Sequence, residues 1–320
     1  MNIFHHGALL IALLAMSHAF AQNYPMKPIR LVLPYPPGGG TDVIARPLAQ
    51  KLTENLGQQV IVDNRGGAGG NIGMEFVAKS PPDGYTLLFA LTAQFAVNPS
   101  LYPKLPYDPV RDYAPISLLA NAPYFLVVHP SVPAKSVAAL IAFVKARPGQ
   151  LAYSSSGNGS GAHLAGEMLR SLAHIDITHV PYKGAGPALP DLIAGQVQLS
   201  FVTYIATGPH IKSGRLRALG VTTAKRSPAL PDLPAIAETV PGYDSAVWYG
   251  FAAPAGTPGE IVARLNGEVL RVLAAPDFRG RITLEAITPI GSTPEEFGVF
   301  IKSEIVRWAK VVKDSGAKVD

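Results

Sequence analysis

Ser156, Gly157, Gly159 and Ser160 fall within the stretch Leu151-Ala-Tyr-Ser-Ser-Ser-Gly-Asn-Gly-Ser-Gly161, directly before an apolar-periodic segment from His163 to Leu172. Small residues in such a loop leave backbone N–H groups open to a ligand. A helix starting behind them adds partial positive charge. That chemistry suits a carboxylate or a phosphate. The same grammar occurs in Ile29-Arg-Leu-Val-Leu-Pro-Tyr-Pro-Pro-Gly-Gly-Gly-Thr-Asp42. There Tyr35, Pro37, Gly38 and Gly39 precede a helix expected to start near Thr41 or Asp42. A third junction, His179-Val-Pro-Tyr-Lys-Gly-Ala-Gly186, sets Tyr182, Lys183 and Gly184 before a helix from Pro187 to Ala194. Together the three strand–Gly-loop–helix junctions predict a small anion held by loops.

The same residue types allow other chemistry. Ser156 or Ser160, with His163 or His179 as base, would suit a serine hydrolase. However, Ser160 stands in Asn158-Gly-Ser-Gly-Ala162, and Ser154 lies two before Ser156, so neither has G-x-S-x-G flanks. An exported hydrolase remains the rival reading. Lys183 comes before its glycines, which fails a P-loop, and Gly157-Asn-Gly159 lacks the third glycine of a dinucleotide fingerprint. His163 and Glu167 lie at i, i+4 with no third clustered ligand, so they read as a local pair and no metal site is expected. No cofactor is expected either.

The elements that must position these loops alternate between strand and helix, which predicts α/β with largely parallel sheets. Strands are expected at Ile29–Leu33, Gln59–Asp63, Tyr85–Ala90, Pro115–Ala120, Phe125–Val128, Leu199–Val202 and Leu216–Thr222. Helices are expected at Ala45–Leu56, Ile72–Lys79, Ser136–Ala146 and Ile205–Lys212, and Arg226–Glu238 reads as a Pro-rich loop. Two long amphipathic helices, Pro258–Ala274 and Pro294–Asp314, close the chain. In the second, Phe297, Phe300, Ile301, Ile305, Trp308, Val311 and Val312 share one helical stripe, which reads as core. Ala120–Phe125 and Val247–Pro254 read as two crossings between lobes. The expected first lobe is therefore 22–121 plus 250–320, and the second is 122–249.

Bulk properties bound the answer. The chain has 320 residues, 48% hydrophobic, with a formal net charge of +5 and no cysteine. That is enough apolar content for packed cores, and it excludes disulfides, thiol catalysis and thiolate metal sites. Residues 1–21 contain no Lys, Arg, Asp or Glu, carry an apolar run from Ala8 to Met16 and end in Ala19-Phe20-Ala21. They read as a secretory signal peptide with a mature start at Gln22, hence a periplasmic protein. Lys and Arg form no run with interleaved aromatics, so nucleic acid is not an expected partner.

Four blocks then resemble the Bug family, the extracytoplasmic solute receptors of tripartite tricarboxylate transport systems. They are Leu33–Asp42; Val62-Asp-Asn-Arg-Gly-Gly-Ala-Gly-Gly-Asn-Ile-Gly73 with Ala78–Tyr85; Tyr153–Ser160 with His163 and Val180–Gly184; and His210–Leu219 with Pro231–Pro234 and Trp248. The resemblance covers nearly all of residues 24–315. It implies a two-lobed, non-enzymatic, cofactor-free receptor, expected to be a monomer, that closes on a small carboxylate and delivers it to membrane permease subunits. It also implies that the first Pro/Gly loop and the second-lobe Ser/Gly loop grip one carboxylate, partly through water. A receptor feeding a signalling system is a further alternative.

On this basis the expected ligand contacts are the residues of the three junctions, with His163 capping or packing within its helix. Thr92 and Gln94 follow a buried strand and could donate from the first lobe. Thr203 could offer a hydroxyl to the far end of the ligand, with Phe95 and Tyr204 as walls. Asp42 reads as a helix cap. Gly66 stands where the family usually has Pro, which implies a change of loop stiffness. Val202 and Thr203 stand where many relatives carry Asp-Asn. Without that Asp a buried ammonium would lack a partner, so an aliphatic di- or tricarboxylate or an aromatic acid is expected over any α-amino acid.

Overall fold

The computed structural model describes residues 24–38 and 40–319. The expected signal peptide and the start at Gln22 lie outside the described residues. The chain is α/β, with two mixed sheets flanked by helices, one sheet in each lobe.

The first lobe opens with β1 (Ile29–Leu33), α1 (Gly40–Leu56), β2 (Val60–Asn64), α2 (Asn71–Ala78) and β3 (Thr86–Leu91). A π-helical turn at Ala93–Val97 runs into the single-turn α3 (Asn98–Leu101), and β4 (Tyr113–Pro123) follows. Ile29, Leu31, Val32 and Leu33 are fully buried, as are Leu87, Leu88, Phe89 and Ala90. Near-continuous apolar runs of this kind form central strands covered on both faces. β1 pairs in parallel with β2 on one side and β3 on the other.

After one residue, Tyr124, the chain enters the second sheet at β5 (Phe125–Val128). There follow α4 (Val137–Lys145), β6 (Ala152–Ser155), α5 (Gly161–Ala173), β7 (Thr178–Pro181), α6 (Ala185–Ile193), β8 (Leu199–Val202), α7 (Tyr204–Lys212) and β9 (Arg217–Val221). β6 pairs in parallel with β7 and β8, and β5 runs antiparallel to β8 and β9. The chain returns through β10 (Ala246–Pro254), which inserts antiparallel between β3 and β4. It ends in α8 (Gly259–Ala274), α9 (Pro276–Thr283), the short β11 (Thr288–Pro289) and α10 (Pro294–Ser315).

Several expectations need correction. The sheets are mixed, but parallel pairing does not dominate: four pairings are parallel and five antiparallel. Each crossing brings a strand in against the direction of its new neighbours, and β5 and β10 are those strands. Val247–Pro254 is not a crossing, because it lies inside β10. The second crossing is the segment before it. α9 and β11 carry too short a periodic signal to be read from sequence.

Apolar spacing explains the closing helices. In α8, Val262, Leu265, Val269, Val272 and Leu273 recur at helical intervals and are buried. Each such side chain contributes about 1.5–3 kcal/mol of burial. α10 starts with a capping box, Thr293 with Glu296, and ends at Gly316 in the left-handed region. Its stripe is core, as expected: Phe297, Ile301, Trp308 and Val312 are buried. The stripe also reaches the second lobe, where Val311 packs against the core around Tyr153 and Phe201. Among the described residues no helix is long and apolar enough to cross a membrane.

Candidate functional site

Each sheet has one strand where the chain order reverses, β1 in the first and β6 in the second. In open α/β sheets such switch points leave a crevice at the carboxyl ends of the strands. The first and second Gly junctions extend from those two ends, at Pro34–Gly38 and Ser156–Ser160. Behind them start α1 and α5, the helix N-termini that the sequence expectation required.

The first loop is stapled from within. The Gly38 N–H donates to the Asp42 carboxylate, which also pairs with Arg46 at 3.1 Å. Asp42 lies within the first turn of α1 and is not its N-cap residue, so its carboxylate staples the loop to the helix start. Pro37 and Gly38 are exposed, and Gly39 lies outside the described residues. The second block interlocks with this loop. A Cβ at Gly66 would sit 2.8 Å from the Pro36 ring, and one at Gly73 would sit 2.9 Å from Pro34. Gly66 thus permits close packing, which is more than a change of stiffness.

Gln94 ties these pieces together. Its amide donates to the Tyr35 hydroxyl at 2.7 Å and to the Gly69 carbonyl at 2.8 Å. Both donors are engaged, so Gln94 acts as a buried brace beneath Tyr35. Thr92 Oγ1 accepts from the Trp248 N–H at 2.9 Å, which anchors β10. Phe95 is fully buried and stacked on Trp248, with centroids 5.8 Å apart, so it is core and not a cleft wall. Tyr204 packs on Phe125 and lines a separate groove with Lys212, Arg279 and Leu284.

The second loop is organised by two histidines. Gly159 donates its N–H to His163 Nδ1 at 3.0 Å, which places the ring proton on Nε2. The His163 ring stacks on His179 with centroids 3.9 Å apart and 8° between planes. His179 Nε2 lies 2.7 Å from Ser155 Oγ, and that oxygen accepts the Gly157 N–H at 3.1 Å. Ser160 Oγ accepts the His163 N–H at 3.3 Å and caps α5. Ser156 is exposed beside them. The third junction adjoins the second: Gly184 donates to the Ser156 carbonyl at 3.2 Å, and Tyr182 to Ser155 at 3.1 Å. The Tyr182 hydroxyl is taken by Asp191 at 2.7 Å, and Lys183 is exposed. Thr203 is half-buried at the start of α7 and makes no capping bond with its side chain.

This geometry disfavours nucleophilic catalysis. Neither candidate serine has an imidazole as its base. His163 is engaged by Gly159, and His179 pairs with Ser155, which is 2% exposed. Burial, and then the neighbouring His163, push His179 down to about 4, which is poor for a base at neutral pH. Glu167 accepts from Tyr153 at 2.8 Å and pairs with Arg170 at 2.6 Å, and no metal-binding group occurs among the described residues.

The same histidines give a pH dependence. Burial also lowers His163. A group whose folded pKa lies below its unfolded value stabilises the fold through its neutral form. That contribution is complete above the unfolded value of about 6.5 and is lost as pH falls toward the folded value. Thermal stability should therefore fall between about pH 6.5 and the His179 value of about 4. Melting temperatures across that range should show it, and His179→Phe, which keeps a stacked ring, should flatten the slope. An equal slope in the variant would assign the loss to carboxylates.

Sequence reasoning missed two residues here. Burial raises the pKa of Tyr124 and Tyr249, and the nearby Tyr35 raises both further, with Tyr249 adding to the shift of Tyr124. Tyr35 itself is pushed up to about 12, so its phenol stays a neutral donor. Three hydroxyls from β1's end, the first crossing and β10 thus gather near the junctions. Nothing in a single Tyr between apolar residues signals this before the lobes are assembled. Two open grooves, of about 590 and 620 Å³, lie away from these junctions. One is lined by Tyr204 and Leu284, the other by Arg30 and Tyr85.

The family model described as tripartite tricarboxylate transporter family receptor matches residues 44–317. Protein BugT of Bordetella pertussis is 42% identical over 301 residues, covering 93% of this chain and 92% of its own. A solved R. palustris protein with adipate is 40% identical, with a TM-score of 0.85 and coverage of 92% of this chain and 99% of that one. MatC from Rhodopseudomonas palustris with bound malate is 32% identical, with a TM-score of 0.80 and coverage of 90% and 100%.

Proposed function

Because the chain belongs to the tripartite tricarboxylate transporter receptor family, we propose that it captures a small organic carboxylate between its lobes and hands it to the membrane subunits of such a transporter. One observation carries this reading. The starts of α1 and α5 stand behind the loops at the two switch points, and the Asp42 carboxylate beside the first loop is already engaged by Gly38 and Arg46. Such a site favours an anion and offers an ammonium no partner.

The adipate and malate seen in the two relatives support an aliphatic dicarboxylate here. Ser156, the glycines of the three junctions, Tyr35 and Thr203 are the proposed contacts, with His163, Gln94 and Thr92 holding them in place. The proposed lobes are 22–121 plus 250–320 and 122–249, with the crossings a few residues inside those limits. Export to the periplasm after cleavage behind Ala21, a monomeric state and the absence of catalysis belong to the same reading. Family and fold are those of solute-binding receptors, which supports it.

The test is calorimetry and thermal shift with succinate, malate, adipate, citrate and benzoate against aspartate and glutamate. An amino-free acid should raise the melting temperature without any product. Binding of aspartate or glutamate alone would overturn the ligand class.

A further inference from the structure

We propose that Tyr124 couples ligand capture to lobe closure, meeting the ligand carboxylate with its hydroxyl while its backbone forms the hinge. This rests on the carboxylate-receptor reading above. Tyr124 is the single residue between the last strand residue of the first sheet, Pro123, and the first of the second, Phe125. Its backbone is fixed on both sides. The Tyr124 N–H donates to Thr222 Oγ1 at 2.8 Å, and the Thr222 N–H donates to the Tyr124 carbonyl at 2.9 Å. The Thr222 carbonyl in turn accepts the Ser245 N–H at 2.7 Å, one residue before β10. The two crossings are thereby laced together at one level, as a hinge requires.

The side chain faces the other way, toward the site. Its ring packs against the cores of both lobes. A Cβ built on Gly161, the first residue of α5, would lie 2.4 Å from the Tyr124 hydroxyl. The phenol therefore lies against the helix start behind the Ser156–Ser160 loop, and glycine at 161 is what admits it. The β5–β8 register, Phe125 opposite Val202, sets Thr203 opposite Tyr124 one step further on. Tyr35 and Tyr249 complete the group. No hydrogen bond joins the Tyr124 hydroxyl to a described residue, and it stays protonated because burial raises its pKa. Tyr124 is half-buried, and a phenol O–H at such a position donates to an acceptor that enters the cleft. A carboxylate held at the start of α5 would be that acceptor, and it would bind to a side chain that packs against the cores of both lobes. Closure then follows from differential binding, because both lobes must approach to complete the contact.

Tyr124→Phe keeps the ring and removes the hydroxyl. The probe is whichever of succinate, malate, adipate or citrate binds the parent protein most tightly. The affinity should fall at least about tenfold, and the compaction measured by solution scattering at saturation should shrink, while the unliganded melting temperature stays within a few degrees. Tyr85→Phe, at the opposite end of the first sheet, should change neither. Parent-like affinity and compaction in Tyr124→Phe, alongside lost binding in Gly159→Val, would overturn this inference and leave the receptor reading standing. Parent-like binding in both variants, or no binding of any acid to the parent, would overturn both.

Discussion

Gly159→Val is expected to abolish carboxylate binding, raising Kd by at least about 100-fold, while the second lobe stays folded. Three effects act together at this position. Gly159 has φ +73°, a region that costs a side-chain-bearing residue about 1–2 kcal/mol. Its N–H donates to His163 Nδ1, so a shifted backbone also releases the stacked imidazole pair. An added Cβ would lie 1.9 Å from Leu101 Cδ2, which belongs to the first lobe. The substitution therefore pushes the anion loop off its own helix and holds the lobes apart. The fold survives because the second-lobe core, around Leu126, Tyr153, Phe201 and Tyr243, does not include this loop. Strain of about 1–3 kcal/mol is smaller than a typical domain stability of about 5–15 kcal/mol. Calorimetry should show no heat of binding, with circular dichroism unchanged. Parent-like affinity in the valine variant would place the ligand away from this junction.

Why the glycine loops were legible in sequence, and their support was not, follows from range. Helix starts and left-handed glycines are local: Gly159 and Gly184 take positive φ where the strand–loop–helix grammar put them. The apolar stripe of α10 was legible for the same reason, since helical periodicity needs no knowledge of the partner. Gln94, Tyr124 and Tyr249 act through residues tens to more than a hundred positions away, and no spacing rule connects them. Phe95 illustrates the converse error. An aromatic beside candidate donors reads as a cleft wall, yet the π-helical turn at Ala93–Val97 rotates it onto Trp248. Pairing direction was misjudged because alternating strand and helix signals say nothing of how a chain returns from a second lobe.

Glu304 is the clearest case of a residue hidden inside a correct pattern, and Glu304→Ala should destabilise the protein by about 3–5 kcal/mol. Seen on the sequence, it is one of several charges on a long terminal helix. In the fold it is 5% exposed, on the apolar stripe between Ile301 and Trp308. One carboxylate oxygen accepts both indole N–H groups, Trp248 at 2.8 Å and Trp308 at 2.9 Å. The other accepts Arg307 at 2.9 Å, and Arg307 also reaches the Asp244 carbonyl and carboxylate. Trp248 belongs to β10 and stands next to the second crossing, so this cluster ties α10 to the segment that returns the chain to the first lobe. Truncation would leave two buried indole donors without an acceptor and open a cavity among large rings. Glu304→Gln keeps an acceptor for the indoles and loses only the charge-assisted contact with Arg307, so it should cost about 1–2 kcal/mol. Urea denaturation should show the midpoint falling with the slope unchanged, and further in Ala than in Gln. Equal losses in the two variants would assign the effect to charge alone. A loss below about 1 kcal/mol in Ala would mean that water reaches both indoles and that the cluster contributes little to holding α10 against the first lobe.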